Sequence, residues 1–241
     1  MEAPNQIKFH TPFPSATASS IKQGGDFSSI FKSIEQQSSP PEPKKNTPFV
    51  LIDAHTSIGL AKQQLSQLSQ PGVLKFQYVS ADSKSFSPIL SSATHHPHLQ
   101  HLVIRHSNMG AQHHIDAVSQ VLKLNDGIAW LVLDHNQIKN NGVKKILSNL
   151  HPNNQITHLV LSHNHISDEG LTDIINALPK MPHLQTLWLS NNQITNHQLN
   201  ELLSATSKHP SLTTIDLQNN SLGITPDQTQ KMKLSNIKWL V

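Results

Sequence analysis

The sequence has no cysteine, few charged side chains and no long apolar run. Without Cys in its 241 residues, it can hold no disulfide, no Cys-ligated zinc and no thiol nucleophile. Charged residues make up 14% of the chain and the net charge is +3. The pI of about 9.1 reflects a small surplus of 18 Lys and Arg over 15 Asp and Glu, which does not predict nucleic-acid binding. No apolar run reaches the roughly 18 residues that a membrane span needs, so we expect no span.

The first 47 residues differ in composition from the rest. They are rich in Ser, Pro and Gln, which predicts disorder because such a segment buries too little apolar area to offset ordering. Within this head, Asp26 is a candidate N-cap, and four apolar residues follow it at helical spacing: Phe27, Ile30, Phe31 and Ile34. We predict a short amphipathic helix near 26–36. It either docks on the folded remainder as part of an N-terminal cap or forms a partner-binding or membrane-touching motif.

From residue 99 onward, one pattern of apolar and Asn positions occurs five times. Counted from its first residue, each copy places apolar residues at offsets 0, 3, 5 and 10, and four of the five place Asn at offset 8. The first positions are separated by 29, 28, 28 and 28 residues, and a fixed period of this length is the signature of a repeat architecture. The copies are Leu99-Leu102-Ile104-Ser107-Met109, Ile128-Leu131-Leu133-Asn136-Ile138, Ile156-Leu159-Leu161-Asn164-Ile166, Leu184-Leu187-Leu189-Asn192-Ile194 and Leu212-Ile215-Leu217-Asn220-Leu222.

The first four copies continue with a second apolar pattern. Starting 15 residues after the first position, or 16 in the first copy, apolar residues recur at most positions of the spacing 0, 3, 4 and 7, which is one face of an α-helix. In the second copy these residues are Val143, Ile146, Leu147 and Leu150. Prolines follow in the return loops, where a helix must stop. Each repeat is therefore predicted to be a short strand, a turn, a helix and a loop back.

The L-x-x-L-x-L-x-x-N-x-I runs with their 28-residue period resemble leucine-rich repeats of the ribonuclease-inhibitor-like subclass. The resemblance covers residues 99–225 and extends more weakly over 48–98, where Val73, Phe76 and Tyr78 repeat the 0, 3, 5 spacing. It implies an α/β leucine-rich-repeat solenoid, a horseshoe arc with parallel strands on the concave face and helices on the convex face. We expect a leucine-rich-repeat domain of about seven units over residues 48–241.

The Asn column has a predicted structural role. Where the chain turns out of each strand, backbone donors and acceptors face the inside of the solenoid. A buried Asn amide satisfies both kinds and bridges successive turns, as we expect of Asn136, Asn164, Asn192 and Asn220. Ser107 takes this place in the first copy, which predicts a looser repeat there.

The residues between the core positions of each strand form the predicted binding surface. Offsets 0, 3 and 5 point to the core, whereas offsets 1, 2, 4, 6 and 7 reach the concave surface or its rim, with column neighbours about 5 Å apart. We predict that a partner protein binds a set of these residues: His101, Val103, Arg105, Trp130, Val132, Asp134, His135, His158, Val160, His163, Trp188, Asp216 and Trp239.

All three Trp residues fall on this surface in the predicted register. Trp130 takes offset 2 and Trp188 offset 4, and Trp239 takes offset 2 when Ile237 is matched to Ile128. Exposed Trp among the valines of the offset-4 column forms an apolar patch of the kind that marks a protein interface. Alternatively, these aromatics cover neighbouring strands or pack against the N-terminal head.

Histidine is in excess, with 17 His against one Tyr. His106, His135 and His163 share the offset-7 column, and neutral imidazoles suit zinc or nickel. Evenly stacked side chains do not converge as tetrahedral ligands must, and the column continues as Asn191 and Asn219. We therefore predict no metal ligand and no cofactor. A second hypothesis is pH sensing, in which protonation below about pH 6.5 adds charge to the concave face.

The sequence has no Gly-rich phosphate loop, no G-x-S-x-G and no H-E-x-x-H, so we expect neither an enzyme nor a catalytic residue. An extended repeat surface instead favours a module that binds a folded protein, as a monomer or heterodimer. By similarity to ribonuclease-inhibitor-like proteins, one version is inhibition of an enzyme by occluding its active site. The alternatives are an adaptor or nucleic-acid-associated scaffold, although Arg105 is the single permanent cation in the concave columns of the five copies, and a hydrolase.

The composition has a further resemblance. Low Gly, absent Cys, many Asn, Gln and His and a disordered head before a short array are similar to leucine-rich-repeat effectors that intracellular bacterial pathogens inject through type IV secretion systems. This similarity implies action in a host cytosol on a host protein or another effector. The other expectation is an ordinary cytoplasmic protein.

Overall fold

The structure is a computed structural model that describes residues 47–80 and 84–241. The predicted helix near 26–36 lies outside the described residues. The strands within the described ranges are β1 Phe49–Ile52, β2 Gly72–Gln77, β3 Leu99–Arg105, β4 Trp130–Val132, β5 His158–Val160, β6 Thr186–Trp188, β7 Thr214–Asp216 and β8 Lys238–Leu240. The α-helices are α1 Ile58–Ser66, α2 Phe86–Ala93, α3 Gln112–Leu124, α4 Lys139–Ser148, α5 Asp168–Ala177, α6 Leu199–Ser207 and α7 Pro226–Leu234, with 3₁₀ turns at Leu178–Lys180 and Asn196–Gln198.

The strands form one open sheet in chain order from β1 to β8, and every neighbouring pair is parallel. A parallel pair cannot be joined by a tight hairpin, so the chain returns through a helix after each strand. Each helix packs against the helix of the next repeat, as α4 does against α5. The predicted α/β architecture of stacked strand–helix units is confirmed.

The core lies between the sheet and the helices. In the third copy Leu159 and Leu161, at offsets 3 and 5, are buried together with Leu171 and Ile174 of α5. A strand alternates its side chains between two faces, whereas a helix repeats every 3.6 residues, so the two patterns supply matching apolar surfaces. Because the pattern recurs every 28 residues, the core grows by adding one equivalent layer per repeat.

The Asn column bridges successive turns, as predicted. Asn164 Nδ2 donates to the carbonyls of Leu133 at 2.7 Å and Leu161 at 3.1 Å, and its Oδ1 accepts from the backbone N–H of Asn136 at 3.0 Å. The same arrangement recurs at Asn136, Asn192 and Asn220. Ser107 is fully buried and accepts from Val79 N at 3.3 Å. The first copy therefore continues the ladder with a shorter side chain.

The register of β8 corrects the predicted position of Trp239. The sequence match placed it at offset 2, but Trp239 pairs with Ile215, and Lys238 pairs with Thr214. Trp239 therefore lies in the core column, packs against the helix-side core, and donates from Nε1 to Ser235 Oγ at 2.9 Å. The segment that connects α7 to β8 is shorter than the segments that connect the earlier helices to their next strands. The register of β8 on β7 therefore differs by one position from the sequence match.

The register of β2 also differs from the predicted one. Leu74 and Phe76 pair with core positions of β3 and are fully buried. Val73 belongs to a cluster on the other face of the sheet, and Tyr78 lies beyond the strand with 64% of its surface exposed. A bulge between Gly72 and Val73 changes the register, which a match of spacing alone cannot detect.

Candidate functional site

The candidate site is the face of the sheet that points away from the helices, here called the strand face. Side chains alternate along a strand, so offsets 2 and 4 point away from the core residue between them, and parallel pairing places equivalent residues about 4.8 Å apart. From β3 to β8, the offset-2 column contains His101, Trp130, His158, Thr186, Thr214 and Lys238, and the offset-4 column contains Val103, Val132, Val160, Trp188, Asp216 and Leu240.

The first part of the offset-2 column is a stack of rings, here called the His–Trp ladder. Trp130 lies between two imidazoles. Its ring centroid is 4.8 Å from that of His101, with 18° between the planes, and 4.3 Å from that of His158, with 31° between the planes. All three side chains are half-buried. The ladder therefore presents apolar ring surface together with polar ring edges, a combination that is enriched at protein interfaces.

From β3 to β6 the members of the offset-4 column are apolar but buried, so the predicted exposure of its valines and Trp is wrong. Val103, Val132 and Val160 are 3%, 1% and 0% exposed, and Trp188 is 6% exposed. They form an apolar cluster separate from the helix-side core. The valines are short, and the larger rings of the His–Trp ladder lie beside them. A partner protein would therefore contact the His–Trp ladder and not the buried valines.

Arg105, Asp134 and His135 form a hydrogen-bonded polar group at the end of β3 and just after β4. Arg105 Nε donates to Asp134 Oδ1 at 2.7 Å, and His135 Nδ1 lies 3.0 Å from Asp134 Oδ2. Asp134 is buried, so its predicted exposure is also wrong. Burial of this carboxylate is tolerable because the guanidinium supplies the opposite charge and a hydrogen bond.

A second row of rings follows the strands at offset 7, and we call it the turn ladder. It consists of Tyr78, His106, His135 and His163, with successive ring centroids 5.1, 4.3 and 3.8 Å apart. These residues have positive φ, as do Asn191 and Asn219 farther along the column. His and Asn are enriched in that backbone region, which explains why all members of the column after Tyr78 are His or Asn. Tyr78 was not predicted here, because its register was misassigned.

Burial lowers the pKa of four ladder histidines. In the His–Trp ladder, burial lowers the pKa of His101 and His158, and the nearby His101 charge lowers that of His158 further. In the turn ladder, burial lowers the pKa of His106 and His163, and charge repulsion from His135 adds to the effect. The strand face therefore favours neutral imidazoles near pH 7.

This shift predicts that the protein loses stability in mild acid. A histidine whose pKa is lower in the folded state than in the unfolded chain binds its proton more readily when unfolded. Its contribution is present above the unfolded pKa of about 6.5 and is lost as the pH falls through the folded pKa. We expect the free energy of unfolding to decrease as the pH is lowered from 7.5 to 5, measured by urea denaturation at each pH.

The variant His163→Asn provides the matched comparison. Asn occupies the same column at Asn191 and Asn219 with the same positive φ, so the substitution fits the backbone. It removes one titrating group and the charge repulsion with His135. The decrease in the free energy of unfolding between pH 7.5 and 5 should therefore be smaller in this variant than in the wild type. An unchanged pH dependence would show that His163 does not contribute to it.

Asp216 is the second buried acid on the strand face, where exposure was predicted. Its side chain is 0% exposed and lies in its column between Trp188 and Leu240. Asp216 Oδ1 accepts from Gln218 N at 3.0 Å, whereas Oδ2 has no hydrogen-bond partner among the described residues. Burial raises the pKa of the Asp216 carboxyl, against the opposing effects of the hydrogen bond from Gln218 N and of the nearby Ser190 hydroxyl.

Replacing Asp216 with Asn should stabilise the folded protein above neutral pH. Because the Asp216 pKa is raised on folding, its stabilising contribution is present below the unfolded pKa of about 3.9 and is lost as the pH rises through the folded pKa. Asn carries no charge and keeps a carbonyl oxygen for Gln218 N. Urea denaturation should therefore show that the substitution increases the free energy of unfolding more at pH 8 than at pH 4. A loss of stability at pH 8 would contradict the assignment of a destabilising buried charge.

The described residues contain no group of three or more His, Asp or Glu that is arranged to hold a metal ion. The imidazoles of the turn ladder are stacked side by side, so their nitrogens do not converge on one point. Within the same ranges, no helix has both the length and the apolar character required to cross a membrane.

The structure brings most of the predicted binding residues to one face of the sheet. The His–Trp ladder, the valines, Trp188, Asp216 and the Arg105 group occupy neighbouring columns, whereas Trp239 belongs to the core. Sequence reasoning missed Tyr78 as a ladder member and Thr186 as a buried polar neighbour of Trp188. The ring stacking has a signal in the sequence, namely aromatic residues at one offset in consecutive repeats.

Comparison with known families agrees with this geometry. Residues 154–204 match the family model described as Leucine Rich repeats (2 copies), and residues 211–232 match the model described as Leucine Rich Repeat. No curated protein matches the chain. The matched residues cover the regular units from β5 to α7, whose strands and helices continue the same sheet and core. Residues 154–204 and 211–232 are therefore similar to leucine-rich repeats, the α/β fold is that of a leucine-rich-repeat solenoid, and such repeats suggest a protein–protein interaction module.

Proposed function

We propose that the protein binds a folded protein partner through its strand face and catalyses no reaction. The observation that carries the proposal is the pair of ring ladders, which run across β3–β5 on either side of the offset-4 valines. Aromatic rings supply large contact areas at a small entropic cost, and Trp is the residue most enriched among binding hot spots. The interface would centre on Trp130.

The buried valines beneath the ladders support the same proposal. Val103, Val132 and Val160 pack against one another across three strands, so the rings beside them extend from a well-packed part of the sheet. Preorganised contact residues lose little freedom when a partner binds, so more of the contact energy appears as affinity. The Arg105–Asp134 pair at the edge adds polar groups of the kind that set orientation.

The proposed absence of catalysis rests on the surroundings of the Asp134–His135 pair. A carboxylate that orients an imidazole is the second half of a hydrolytic triad. Here the His135 ring is stacked between His106 and His163, and its hydrogen bond to a side chain within the described residues is the one to Asp134. Leucine-rich-repeat proteins are also generally non-catalytic scaffolds. A hydrolase would need a nucleophile beside His135.

We extend the proposal to the finer assignments. The 28-residue period supports the ribonuclease-inhibitor-like subclass, and an extended strand face suits inhibition of an enzyme by covering its active site. The composition supports an injected bacterial effector that acts in a host cytosol on a host protein or another effector, with an ordinary cytoplasmic adaptor as the alternative. The protein would act as a monomer or as a heterodimer with its partner.

The experiment compares matched charge substitutions on the two sides of the sheet. His158→Glu places an acid on the strand face, and Asn176→Glu places one on an exposed position of α5. Proteins captured from a host lysate by the wild type should be lost by His158→Glu and kept by Asn176→Glu, with circular dichroism showing that both variants are folded. Retention by the folded His158→Glu variant, or loss by Asn176→Glu alone, would overturn the proposal.

A further inference from the structure

Three polar atoms on the strand face of β6 and β7 are buried and have no hydrogen-bond partner among the described residues. They are Thr186 Oγ1, Trp188 Nε1 and Asp216 Oδ2. Thr186 and Trp188 are two positions apart on β6 and so point to the same face. Asp216 pairs in register with Trp188 on β7. We call these three residues the β6–β7 patch.

Elsewhere on this face His101 Nδ1 also lacks a partner among the described residues, but the other buried polar side chains are paired. Asp134 is held by Arg105 at 2.7 Å, and the hydroxyls of Ser162 and Ser190 are 3.0 Å apart. An unpaired buried polar atom loses its bonds to water without replacement, and such atoms are rare in folded proteins. Three of them on adjacent strands therefore point to a group that is supplied from outside.

The charges on the face favour a cationic group. The positive charge of Arg105 is matched by Asp134. Lys238 lies on the same face of β8, paired with Thr214, but Asp216 forms no ion pair with it or with any other described residue. The Asp216 carboxyl is thus the acid on this face whose charge is not balanced within the described ranges. Its neighbours in the column, Trp188 and Leu240, are apolar. A cationic side chain that binds here would lose its hydration and would need an aliphatic part that packs against these two residues.

We propose that the β6–β7 patch binds an arginine side chain of the partner protein, an inference that rests on the proposed function. A guanidinium carries five donors in a planar arrangement, enough for Asp216 Oδ2 and Thr186 Oγ1 together. Its aliphatic stem packs on the Trp188 ring and Leu240. The main-chain carbonyl of the bound residue is an acceptor for Trp188 Nε1. A lysine ammonium lacks the planar set of donors.

The patch is closed in this structure, because Asp216 is fully buried. Leu240 lies beside it on β8 and is itself half-buried. Displacing the Leu240 side chain would uncover this side of Asp216. Truncation to Ala should therefore make binding tighter.

The test uses the indole N–H signals of the ¹⁵N-labelled full chain, assigned with Trp188→Phe and Trp239→Phe. The probe is acetyl-Gly-Arg-Gly-amide, compared with the citrulline tripeptide, which has the same shape but no charge, and with the lysine tripeptide. The arginine probe should shift the Trp188 signal saturably. The Trp239 signal should not move, because its Nε1 already donates to Ser235 Oγ.

The matched variants are Asp216→Asn and Asp116→Asn, the latter at an exposed position of α3. Asp216→Asn should weaken arginine-probe binding at least tenfold, Asp116→Asn should leave it unchanged, and Leu240→Ala should strengthen it. The inference is overturned if the citrulline or lysine tripeptide binds as tightly, if Asp216→Asn binds normally, or if the Trp188 signal stays fixed even with Leu240→Ala. These outcomes need no partner protein, so they are separate from the capture experiment with His158→Glu.

Discussion

Replacing Asn164 with Ala is expected to lower the free energy of unfolding by about 3–5 kcal/mol, because several buried backbone groups lose their partners at about 1–3 kcal/mol each. Asn164 Nδ2 donates to the carbonyls of Leu133 and Leu161, and Oδ1 accepts from Asn136 N and Ile138 N. Ala fills none of these roles, and the site is fully buried, so water cannot replace the amide. Urea denaturation with a constant m-value measures the loss.

Asn153→Ala is the matched control for this prediction. Asn153 lies in a return loop with an exposed side chain, so its truncation should change the free energy of unfolding by less than about 0.5 kcal/mol. If Asn164→Ala were as mild as Asn153→Ala, the Asn ladder would not be a main source of stability for the stacked repeats.

Replacing Trp130 with Ala is expected to weaken partner binding at least about 30-fold, which corresponds to the 2 kcal/mol or more of a hot-spot residue. Trp130 is half-buried and its ring lies between His101 and His158. Its loss removes contact area and also frees the two imidazoles that it holds in place. Calorimetric titration with the purified partner measures the change.

The control for this prediction is Leu234→Ala on α7, where the side chain is 77% exposed. It should bind the partner as the wild type does. Trp188→Ala is a poor test of binding, because Trp188 is buried and its truncation should cost about 3–5 kcal/mol of stability. Normal affinity in a folded Trp130→Ala variant would exclude the His–Trp ladder as the centre of the interface.

The repeat period was sufficient to predict the fold. Buried positions such as Leu159 and Leu161, and the bridging role of Asn164, follow directly from the spacing, because each repeat has to present the same apolar layer to its neighbour. Positions at the ends of the array were predicted less well. Trp239 and Val73 lie next to a shortened return and a bulge, where the period no longer determines the register.

The columns of the strand face were predictable, but burial within them was not. Whether a residue at offset 4 is exposed depends on the size of its neighbours in adjacent columns, and the repeat pattern does not specify those neighbours. Val160 and Asp216 occupy equivalent offsets and are both buried. Val160 packs against other apolar side chains, whereas Asp216 keeps an unpaired carboxylate oxygen. The repeat spacing does not reveal this difference, because it depends on how side chains of neighbouring strands pack.

The central claim, that a protein partner binds the strand face, is tested most directly by site-specific photo-crosslinking. The photoreactive residue p-benzoylphenylalanine is placed at His101 and His158 on the strand face and, as a control, at Leu60 and Leu234 on the exposed helix side. We predict that the same partner protein is crosslinked from His101 and His158 and from neither helix position. Crosslinking from Leu60 or Leu234, with none from the strand face, would contradict the claim.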